Sequence, residues 1–267
     1  MPHSVGSGGR AGSFPGVLLP YDEAGDGSPV VLLHAGITDR TMWSEQLEPL
    51  AAAGHRAIAM DLPGFNEAPI TDPLAPWDDV LETLDSLGVE RAALVGTSFG
   101  GAVAVCVAME APERAQALVL VSAPAPGIDP SPELEAAWAA EEEALEADDV
   151  DAAVAAVVDA WLLPDAPPAL RDRVGAMQRR AFDLQLSADD VDEADDPLET
   201  SPDALRALSV PALVVTGEHD MPDFQIAAEF YASRLNGRHV VIPGARHLAP
   251  LETPEAFNEL LLGFLAK

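Results

Sequence analysis

Lysine and cysteine are nearly absent from this sequence. Lys267 is the one lysine, and with the arginines there are only 14 basic residues against 45 acidic ones, for a formal net charge of −31. A surface this negative repels phosphate groups, because binding them requires clustered Lys and Arg. We therefore expect no nucleic-acid partner and no membrane partner. With Cys106 as the single cysteine, an internal disulfide is impossible and no cysteine metal cluster is indicated.

Long apolar runs are also missing, and the first residues lack the pattern expected of a signal sequence. No stretch approaches the roughly 18 consecutive apolar residues that a membrane-spanning helix needs. Residues 1–16 are rich in Gly and Ser and lack an apolar core, so we expect a flexible leader rather than a signal peptide. A cytoplasmic location is the simplest fit to these absences.

What the sequence does contain is an alternation of apolar runs with helical patterns. The apolar runs are nearly continuous, as a parallel sheet covered on both faces requires. The segments between them have helical patterns, and several end in Gly or Pro, as helices do. This order predicts an α/β fold with a mostly parallel, doubly wound sheet. The predicted strands fall within residues 29–36, 55–64, 91–98, 115–124, 210–220 and 238–245.

The alternation breaks between Pro124 and Val210. This part has no strand pattern and carries acidic runs, and its Ala-rich or otherwise helical stretches lie near 133–147, 150–162 and 168–186. Acidic runs of this kind are usually solvated helix faces, and an electrostatic role at the mouth of a site is the alternative. We expect residues 125–207 to form a helical cap inserted between late strands of a core made of residues 17–124 and 208–267.

Ser98 lies in the motif Gly-Thr-Ser-Phe-Gly, where an apolar strand ends and a helix begins. This context is that of a nucleophile elbow, in which glycines give room for a sharp turn and the serine hydroxyl is left exposed. A serine that only caps the helix is the alternative. That alternative explains Ser98 but not the neighbouring Gly96, Gly100 and Gly101.

A serine hydroxyl becomes a nucleophile only when an oriented base takes its proton. Two later strand ends carry suitable groups, Asp220 after one strand and His247 after the last. The order Ser98, Asp220, His247 is that of the nucleophile-elbow hydrolases, and all three lie where parallel sheets build their sites. Glu218 and Asp223 are competing acids, but the Gly-x-x-Asp spacing favours Asp220.

With these residues identified, the sequence resembles the serine-type α/β-hydrolase fold family, in its general-hydrolase and enol-lactonase branch with a helical cap. The segments that carry the resemblance are the Ser98 motif, Leu-Leu-His-Ala-Gly at 32–36, Asp-Leu-Pro-Gly-Phe-Asn-Glu-Ala at 61–68, and the stretch from His247 into the last helix. Ala35 and Asn66 stand where the family usually has glycine, although Asn also tolerates positive φ.

Arg246 is a third position, after Ala35 and Asn66, that differs from the usual pattern of the family, in which a small residue precedes the catalytic histidine. If its side chain pointed inward, it would lower the pKa of the base or bind a substrate carboxylate. An outward salt bridge on so acidic a protein is the alternative.

The resemblance implies roles for particular residues. Ser98, His247 and Asp220 would form a catalytic triad. The oxyanion hole would use the backbone N–H of Phe99 with that of Gly36 or, alternatively, Ile37. Candidates for substrate contacts, each of which also suits ordinary core packing, are Trp43, Trp138, Trp161, Met177 and Phe182. A structural role is the favoured interpretation for His34, Asp61 and Cys106.

Such a hydrolase would cleave a small ester-like substrate, a carboxylester or a lactone, through an acyl-enzyme and without a cofactor or metal. The alternatives on the same fold are a C–C bond hydrolase, a cofactor-free perhydrolase and a non-catalytic ligand-binding relative. A serine nucleophile argues against haloalkane dehalogenase and epoxide hydrolase activity, because the enzymes of this fold with those activities use an aspartate as the nucleophile. The expected partner is a small-molecule substrate, and the protein is expected to be a monomer or a homodimer.

Overall fold

The computed structural model describes residues 18–266, so the predicted leader at residues 1–16 lies outside the described part. The strands of its central sheet are β1 Tyr21–Ala24, β2 Ser28–Leu33, β3 His55–Met60, β4 Ala92–Thr97, β5 Ala115–Val121, β6 Ala212–Gly217 and β7 Arg238–Ile242. Their order across the sheet is β1-β3-β2-β4-β5-β6-β7, with β1 antiparallel to β3 and the other pairs parallel. The expected α/β fold with a mostly parallel sheet is confirmed.

Both faces of the sheet are covered, which explains the continuous apolar strands. Along β2, Val31 and Leu33 pack in one buried cluster, while Val30 and Leu32 pack in the other. Successive side chains of a strand point to opposite faces, so both sets must be apolar. The helices are α1 Ser44–Ala52, α2 Pro76–Ser86, α3 Phe99–Glu110, α4 Pro132–Glu146, α5 Val150–Trp161, α6 Pro168–Gln185, α7 Pro197–Thr200, α8 Pro222–Arg234, α9 Ala249–Glu252 and α10 Pro254–Leu265. Among residues 18–266, none of them combines the length and the apolar character needed to cross a membrane.

Prolines mark where several of these helices begin. The first residues of α2, α4, α6, α8 and α10 are Pro76, Pro132, Pro168, Pro222 and Pro254. Proline suits this position because its φ is fixed near the helical value and its missing N–H would have no intrahelical partner. In these helices proline therefore sets the start of the helix rather than interrupting it.

The strand β1 is an element that the sequence pattern did not predict. Its residues, Tyr-Asp-Glu-Ala, are mostly half-buried and lack an apolar run. It pairs with β3 at the edge of the sheet, from Tyr21 opposite Met60 to Ala24 opposite Ala57. An edge strand has a neighbour on one side only, so short and polar sequences are common there.

The helices α4, α5 and α6, called the inserted helices below, lie between β5 and β6 in the chain and pack in sequence on one another. Polar contacts join them to the core. The Arg180 guanidinium lies 2.5 Å from the Asp39 carboxylate, and Arg173 donates a hydrogen bond to the Thr41 carbonyl at 2.6 Å. The Gln185 side-chain amide donates a hydrogen bond to the Gly64 carbonyl, in the loop after β3, at 3.1 Å.

Gly96 and Gly100 leave space where β4 ends. A Cβ on Gly96 would lie 2.1 Å from the Gly100 carbonyl oxygen, and a Cβ on Gly100 would lie 2.4 Å from the His34 carbonyl oxygen. Both distances are far shorter than van der Waals contact. The helix α3 can therefore turn back against β4 and β2 only because these two residues have no side chain.

We expect Gly96→Ala to lower the free energy of unfolding by at least about 2 kcal/mol, because the backbone on both sides of the turn must move. Gly263→Ala is the control: its added Cβ would meet no atom within 4 Å, and it lies inside α10. Alanine there should stabilise the protein by up to about 1 kcal/mol. Urea unfolding followed by circular dichroism measures both changes, and equal values for the two variants would contradict the expectation.

Candidate active site

Ser98 joins β4 to α3 in a strained backbone conformation, with φ 51° and ψ −119°. Residues other than glycine rarely adopt positive φ, and this strain is typical of a nucleophile elbow. Backbone hydrogen bonds hold the turn: Ser98 N–H donates to the Val121 carbonyl at 2.8 Å, and Gly100 N–H donates to the His34 carbonyl at 3.0 Å. The Ser98 side chain makes no capping hydrogen bond to α3, so helix capping does not account for this serine.

His247 and Asp220 are in direct contact, with Nδ1 of the imidazole 3.0 Å from Oδ1 of the carboxylate. Both residues are nearly buried, His247 being 2% and Asp220 8% exposed. A hydrogen bond to the carboxylate places the proton on Nδ1 and leaves Nε2 unprotonated, which is the tautomer that a general base needs. The carboxylate is fixed in turn by the Met221 N–H, which donates to Oδ1 at 2.9 Å.

Two aromatic rings hold the imidazole of His247. The ring centroids of Trp161 and Phe224 each lie 4.4 Å from the imidazole centroid. Trp161 is the last residue of α5, in the inserted helices, while Phe224 lies in the first turn of α8. The orientation of the imidazole therefore depends on packing from the core and from the inserted helices together.

Asp223 and Glu218 have other partners. Asp223 accepts hydrogen bonds from the N–H and the hydroxyl of Ser131, at 2.7 and 2.6 Å, where Ser131 caps the start of α4. Glu218 is exposed and accepts from the Gly244 N–H at 3.0 Å. Among the contacts of residues 18–266, neither carboxylate bonds to His247, so neither is placed to orient its ring.

The loop after β2 lies beside the elbow. Gly36, Ile37 and Phe99 line the same cavity as Ser98, and a Cβ on Gly36 would lie 3.4 Å from Phe99 Cβ. In the described part of the chain, no backbone carbonyl accepts a hydrogen bond from the N–H of Gly36 or of Ile37. Free backbone donors beside a nucleophile are what an oxyanion hole requires. Both N–H groups therefore stay candidates.

His34 holds this loop in place. Its Nδ1 donates to the Ala35 carbonyl at 2.8 Å, and its Nε2 accepts from the Leu62 N–H at 2.9 Å. Complete burial lowers the pKa of His34 below its ordinary value, so the imidazole stays neutral and bridges backbone groups. This is the structural role predicted from the sequence. Ala35, which stands where the family usually has glycine, is fully buried in the core.

Asp61 and Cys106 also have structural roles. The Asp61 carboxylate accepts from the Arg40 N–H at 2.9 Å and pairs with its guanidinium, and it accepts from the Asn66 side-chain amide at 2.9 Å. Asn66 has φ 49°, a conformation that favours glycine or asparagine. The Cys106 thiol is buried and donates to the Asp196 carboxylate at 3.3 Å.

Ser98 and His247 line one cavity of about 440 Å³, whose wall is formed by residues of the core and of the inserted helices. The predicted substrate contacts that line it are Trp138, Trp161 and Phe182. Sequence reasoning missed other apolar residues in its wall, among them Phe65, Leu134 and Phe224. Phe224 had a recognisable signal, because it lies in the first turn of the helix that follows the Asp220 strand end.

Trp43 and Met177 do not line this cavity, which corrects the prediction for both. Trp43 is fully buried, and its ring centroid lies 6.1 Å from that of Phe257 in α10. Met177 is buried in the hydrophobic cluster that also contains Trp43 and Phe257. Helical spacing identifies a buried face, but it does not distinguish a face turned to a cavity from one packed on other side chains.

The ionisable residues in the cavity wall are His247 and two acidic residues. Glu141 and Asp223 line it, and no lysine or arginine of residues 18–266 does. Burial raises the pKa of the Glu141 carboxyl above its ordinary value. Within the same described residues, no group of three or more His, Cys, Asp and Glu side chains is arranged to hold a metal ion. The wall is therefore suited to neutral organic groups more than to anions.

Residues 30–260 match the sequence profile of the alpha/beta hydrolase family. The chain belongs to this family. Over 112 residues, 39% of the chain, it is 39% identical to 2-hydroxy-6-oxo-6-phenylhexa-2,4-dienoate hydrolase from Comamonas testosteroni, and the match spans 39% of that protein. Over 277 aligned positions it is 31% identical to the dihydrolipoyllysine-residue acetyltransferase component of the acetoin cleaving system from Pseudomonas putida, covering 94% of this chain and 68% of the relative.

Solved structures show the same alpha/beta hydrolase fold. A thermophilic esterase from Thermogutta terrifontis aligns with a TM-score of 0.75 at 26% identity, over 93% of each chain. The enol-lactonase from Burkholderia xenovorans LB400 aligns with a TM-score of 0.76 at 24% identity, over 93% of this chain and 96% of the enol-lactonase. At that identity, the second likeness concerns the fold alone.

In this alpha/beta hydrolase, Arg246 forms an outward salt bridge and does not line the cavity. Its Nε donates to the Ala160 carbonyl at 2.9 Å, and its guanidinium lies 2.7 Å from the Glu133 carboxylate. Both partners belong to the inserted helices. Arg246 therefore ties the loop of His247 to them, in place of the carboxylate-binding role that the sequence left open.

The buried His34 should make the stability of this protein depend on pH. Its pKa is lowered from the ordinary value of 6.5, so below that pH the unfolded chain binds a proton at this residue more readily than the folded chain does. The contribution of the neutral His34 to the free energy of unfolding is present above about pH 6.5 and is lost as the pH falls. Between about pH 7.5 and about pH 5, the free energy of unfolding of His34→Gln should therefore fall less than that of the wild type, by up to about 1.4 kcal/mol per pH unit.

Urea unfolding at the two pH values measures this difference. Carboxylates titrate in both proteins, so the comparison isolates His34. His219→Gln, at an exposed histidine, is the control and should behave as the wild type. The same pH dependence in His34→Gln and the wild type would contradict the assignment.

Proposed function

We propose that this chain is a serine hydrolase that cleaves a small carboxylester or lactone through an acyl-enzyme. Ser98 is the nucleophile, His247 the general base, and Asp220 the acid that orients the base. The observation that carries the proposal is the 3.0 Å contact between His247 Nδ1 and Asp220 Oδ1, with His247 in the wall of the cavity that Ser98 also lines. Membership of the alpha/beta hydrolase family supports it.

In the acylation half of the reaction, His247 Nε2 takes the hydroxyl proton as Ser98 Oγ attacks the substrate carbonyl carbon. The oxyanion of the tetrahedral intermediate accepts hydrogen bonds from the N–H of Phe99 and from that of Gly36, with Ile37 as the alternative second donor. The Asp220 carboxylate stabilises the imidazolium. The imidazolium then gives its proton to the leaving oxygen as the carbon–oxygen bond breaks.

Deacylation repeats these steps with water as the nucleophile. His247 Nε2 takes a proton from water while the oxygen attacks the acyl carbon, and the same donors hold the second oxyanion. The proton then passes to Ser98 Oγ as the acyl-enzyme ester bond breaks. The acid product leaves, and no step requires a cofactor or a metal.

Residues 125–207 are proposed to act as a cap over a core of residues 17–124 and 208–267. The inserted helices supply Trp138, Trp161 and Phe182 to the cavity wall, and these side chains would contact the substrate. Excluding water from such a cavity strengthens the hydrogen bonds to the oxyanion.

A neutral substrate suits the cavity better than an anionic one. Hydrolysis of a C–C bond in an oxo-dienoate is the second candidate function, because the Comamonas relative is a hydrolase of such a compound. That substrate carries a carboxylate, and the described wall offers Glu141 and Asp223 but no lysine or arginine. Like charges at close range disfavour binding. The ester or lactone is therefore preferred.

The nucleophile is tested with p-nitrophenyl acetate and butyrate. The wild type should hydrolyse both, and Ser98→Ala should lower kcat by at least about 10³-fold because the acyl-enzyme can no longer form. A fluorophosphonate probe should label the wild type at Ser98, as read by mass spectrometry. Ser233→Ala, at an exposed hydroxyl on α8, should keep both activities. A wild type without turnover and without labelling would rule out the serine hydrolase.

Substitution of the two candidate acids tests which of them orients the base. Asp220→Asn should lower kcat on the order of 10³- to 10⁴-fold, because an amide favours the wrong tautomer of His247. Asp223→Asn keeps a carbonyl oxygen that can accept from Ser131, so its kcat should fall less than about tenfold. Steady-state kinetics on p-nitrophenyl butyrate measures both. Equal losses, or the reverse order, would reject Asp220 as the triad acid.

A further inference from the structure

Glu252 is a half-buried carboxylate that the proposed mechanism does not use. It is the last residue of α9, the short helix that follows His247. Its Oε2 accepts hydrogen bonds from the N–H of Arg246 at 2.8 Å and from the N–H of Leu248 at 3.2 Å. These residues flank His247, so one carboxylate oxygen holds the backbone of the histidine from both sides.

The other oxygen of Glu252 reaches the inserted helices. Oε1 accepts a hydrogen bond at 3.1 Å from the N–H of Leu163, which follows the end of α5. Burial raises the pKa of Glu252, while the three N–H donors and the neighbouring His247 act to lower it. The carboxylate therefore joins two backbone segments that are far apart in the chain.

Two further contacts connect the same segments. Arg246 Nε donates to the Ala160 carbonyl at 2.9 Å, and the Trp161 ring packs 4.4 Å from the imidazole of His247. With Leu163, the partners at the end of α5 all fall within residues 160–163. The end of α5 is thus seated on the loop that carries the histidine.

We propose that Glu252 is a positioning residue that couples the seating of α5 to the orientation of His247. The inference rests on the proposed role of His247 as the general base. While α5 is seated, the Leu163 N–H fixes one oxygen of Glu252, and the other oxygen fixes the histidine loop. When α5 moves away, the carboxylate loses a donor and the Trp161 ring leaves the imidazole. His247 therefore reaches its working orientation when the inserted helices close the cavity.

Both oxygens of Glu252 must be acceptors, which makes glutamine an informative substitution. An amide presents one oxygen and one NH₂ group, and NH₂ cannot accept a hydrogen bond from an N–H donor. In the Glu252→Gln variant, the single amide oxygen should keep the hydrogen bonds from Arg246 and Leu248, because these residues supply two N–H donors. The hydrogen bond from the Leu163 N–H is therefore the one that is lost. Glu252→Ala releases both segments.

Kinetics on p-nitrophenyl butyrate compares the wild type with Glu252→Gln and Glu252→Ala. The control is Glu255→Gln, the same change of charge at an exposed carboxylate on α10. We expect kcat to fall about tenfold in Glu252→Gln and about 100-fold in Glu252→Ala, because a small misplacement of a catalytic group costs this much. KM should change less than about threefold, and the control should match the wild type.

The split between kcat and KM distinguishes positioning from a merely structural role. A lower yield of folded enzyme reduces the rate only in proportion to the sites that the fluorophosphonate probe labels, so kcat is expressed per labelled site. A positioning role predicts that kcat per labelled site falls in both Glu252 variants while KM changes little. An unchanged kcat per labelled site in Glu252→Ala would overturn the proposal and leave the serine hydrolase standing.

Hydrogen exchange gives a readout that needs no substrate. In the Glu252 variants, amides of residues 160–163 and 245–248 should exchange faster together, while amides of β4 and β5 keep their protection. Faster exchange in one segment alone would overturn the coupling. If the wild type shows neither turnover nor labelling of Ser98, the proposed function fails, and the exchange data still decide whether the segments are coupled. If Glu252→Ala does not fold, Glu252→Gln carries the same test.

Discussion

The close approach of α3 to the ends of β2 and β4 is the constraint on which the rest of the site depends. It allows the Gly100 N–H to donate to the His34 carbonyl, which joins the serine elbow to the loop that offers Gly36 and Ile37. The His34 side chain then connects that loop to the Leu62 N–H after β3. A chain of backbone hydrogen bonds, centred on a neutral imidazole, thus fixes the distance between the nucleophile and the backbone donors beside it.

The main elements of the fold and the residues around Ser98 were predictable because their signals are local. Continuous apolar strands, a glycine-rich turn, and an acid and a histidine at strand ends are all visible in short stretches of sequence. The edge strand β1 lacked such a signal, because one neighbouring strand suffices to hold it. Trp43 and Met177 were assigned wrongly because only the packing of α10 and α6 decides which buried face meets a cavity. Glu252 was not found, since its three donors come from two distant parts of the chain.

The scarcity of basic residues gives the few arginines a large share of the contacts between the inserted helices and the rest of the protein. Arg173 and Arg180 reach from α6 to the loop after β2, and Arg246 reaches from the histidine loop to α4 and α5. Two of these contacts, Arg180 with Asp39 and Arg246 with Glu133, are partly exposed ion pairs, and such pairs are individually weak and are screened by salt. In a chain with a net charge of −31, however, each of these arginines also offsets repulsion between acidic segments. Dissolved salt therefore weakens both the attraction within the ion pairs and the repulsion between the acidic segments.

The positive φ of Ser98 is a conformation that a non-glycine residue adopts only under strain. This strain weakens the folded state at the residue proposed to be the nucleophile. The elbow therefore represents a compromise between durability and reactivity, and a sequence selected only for resistance to heat would be expected to replace the strained residue at this position first.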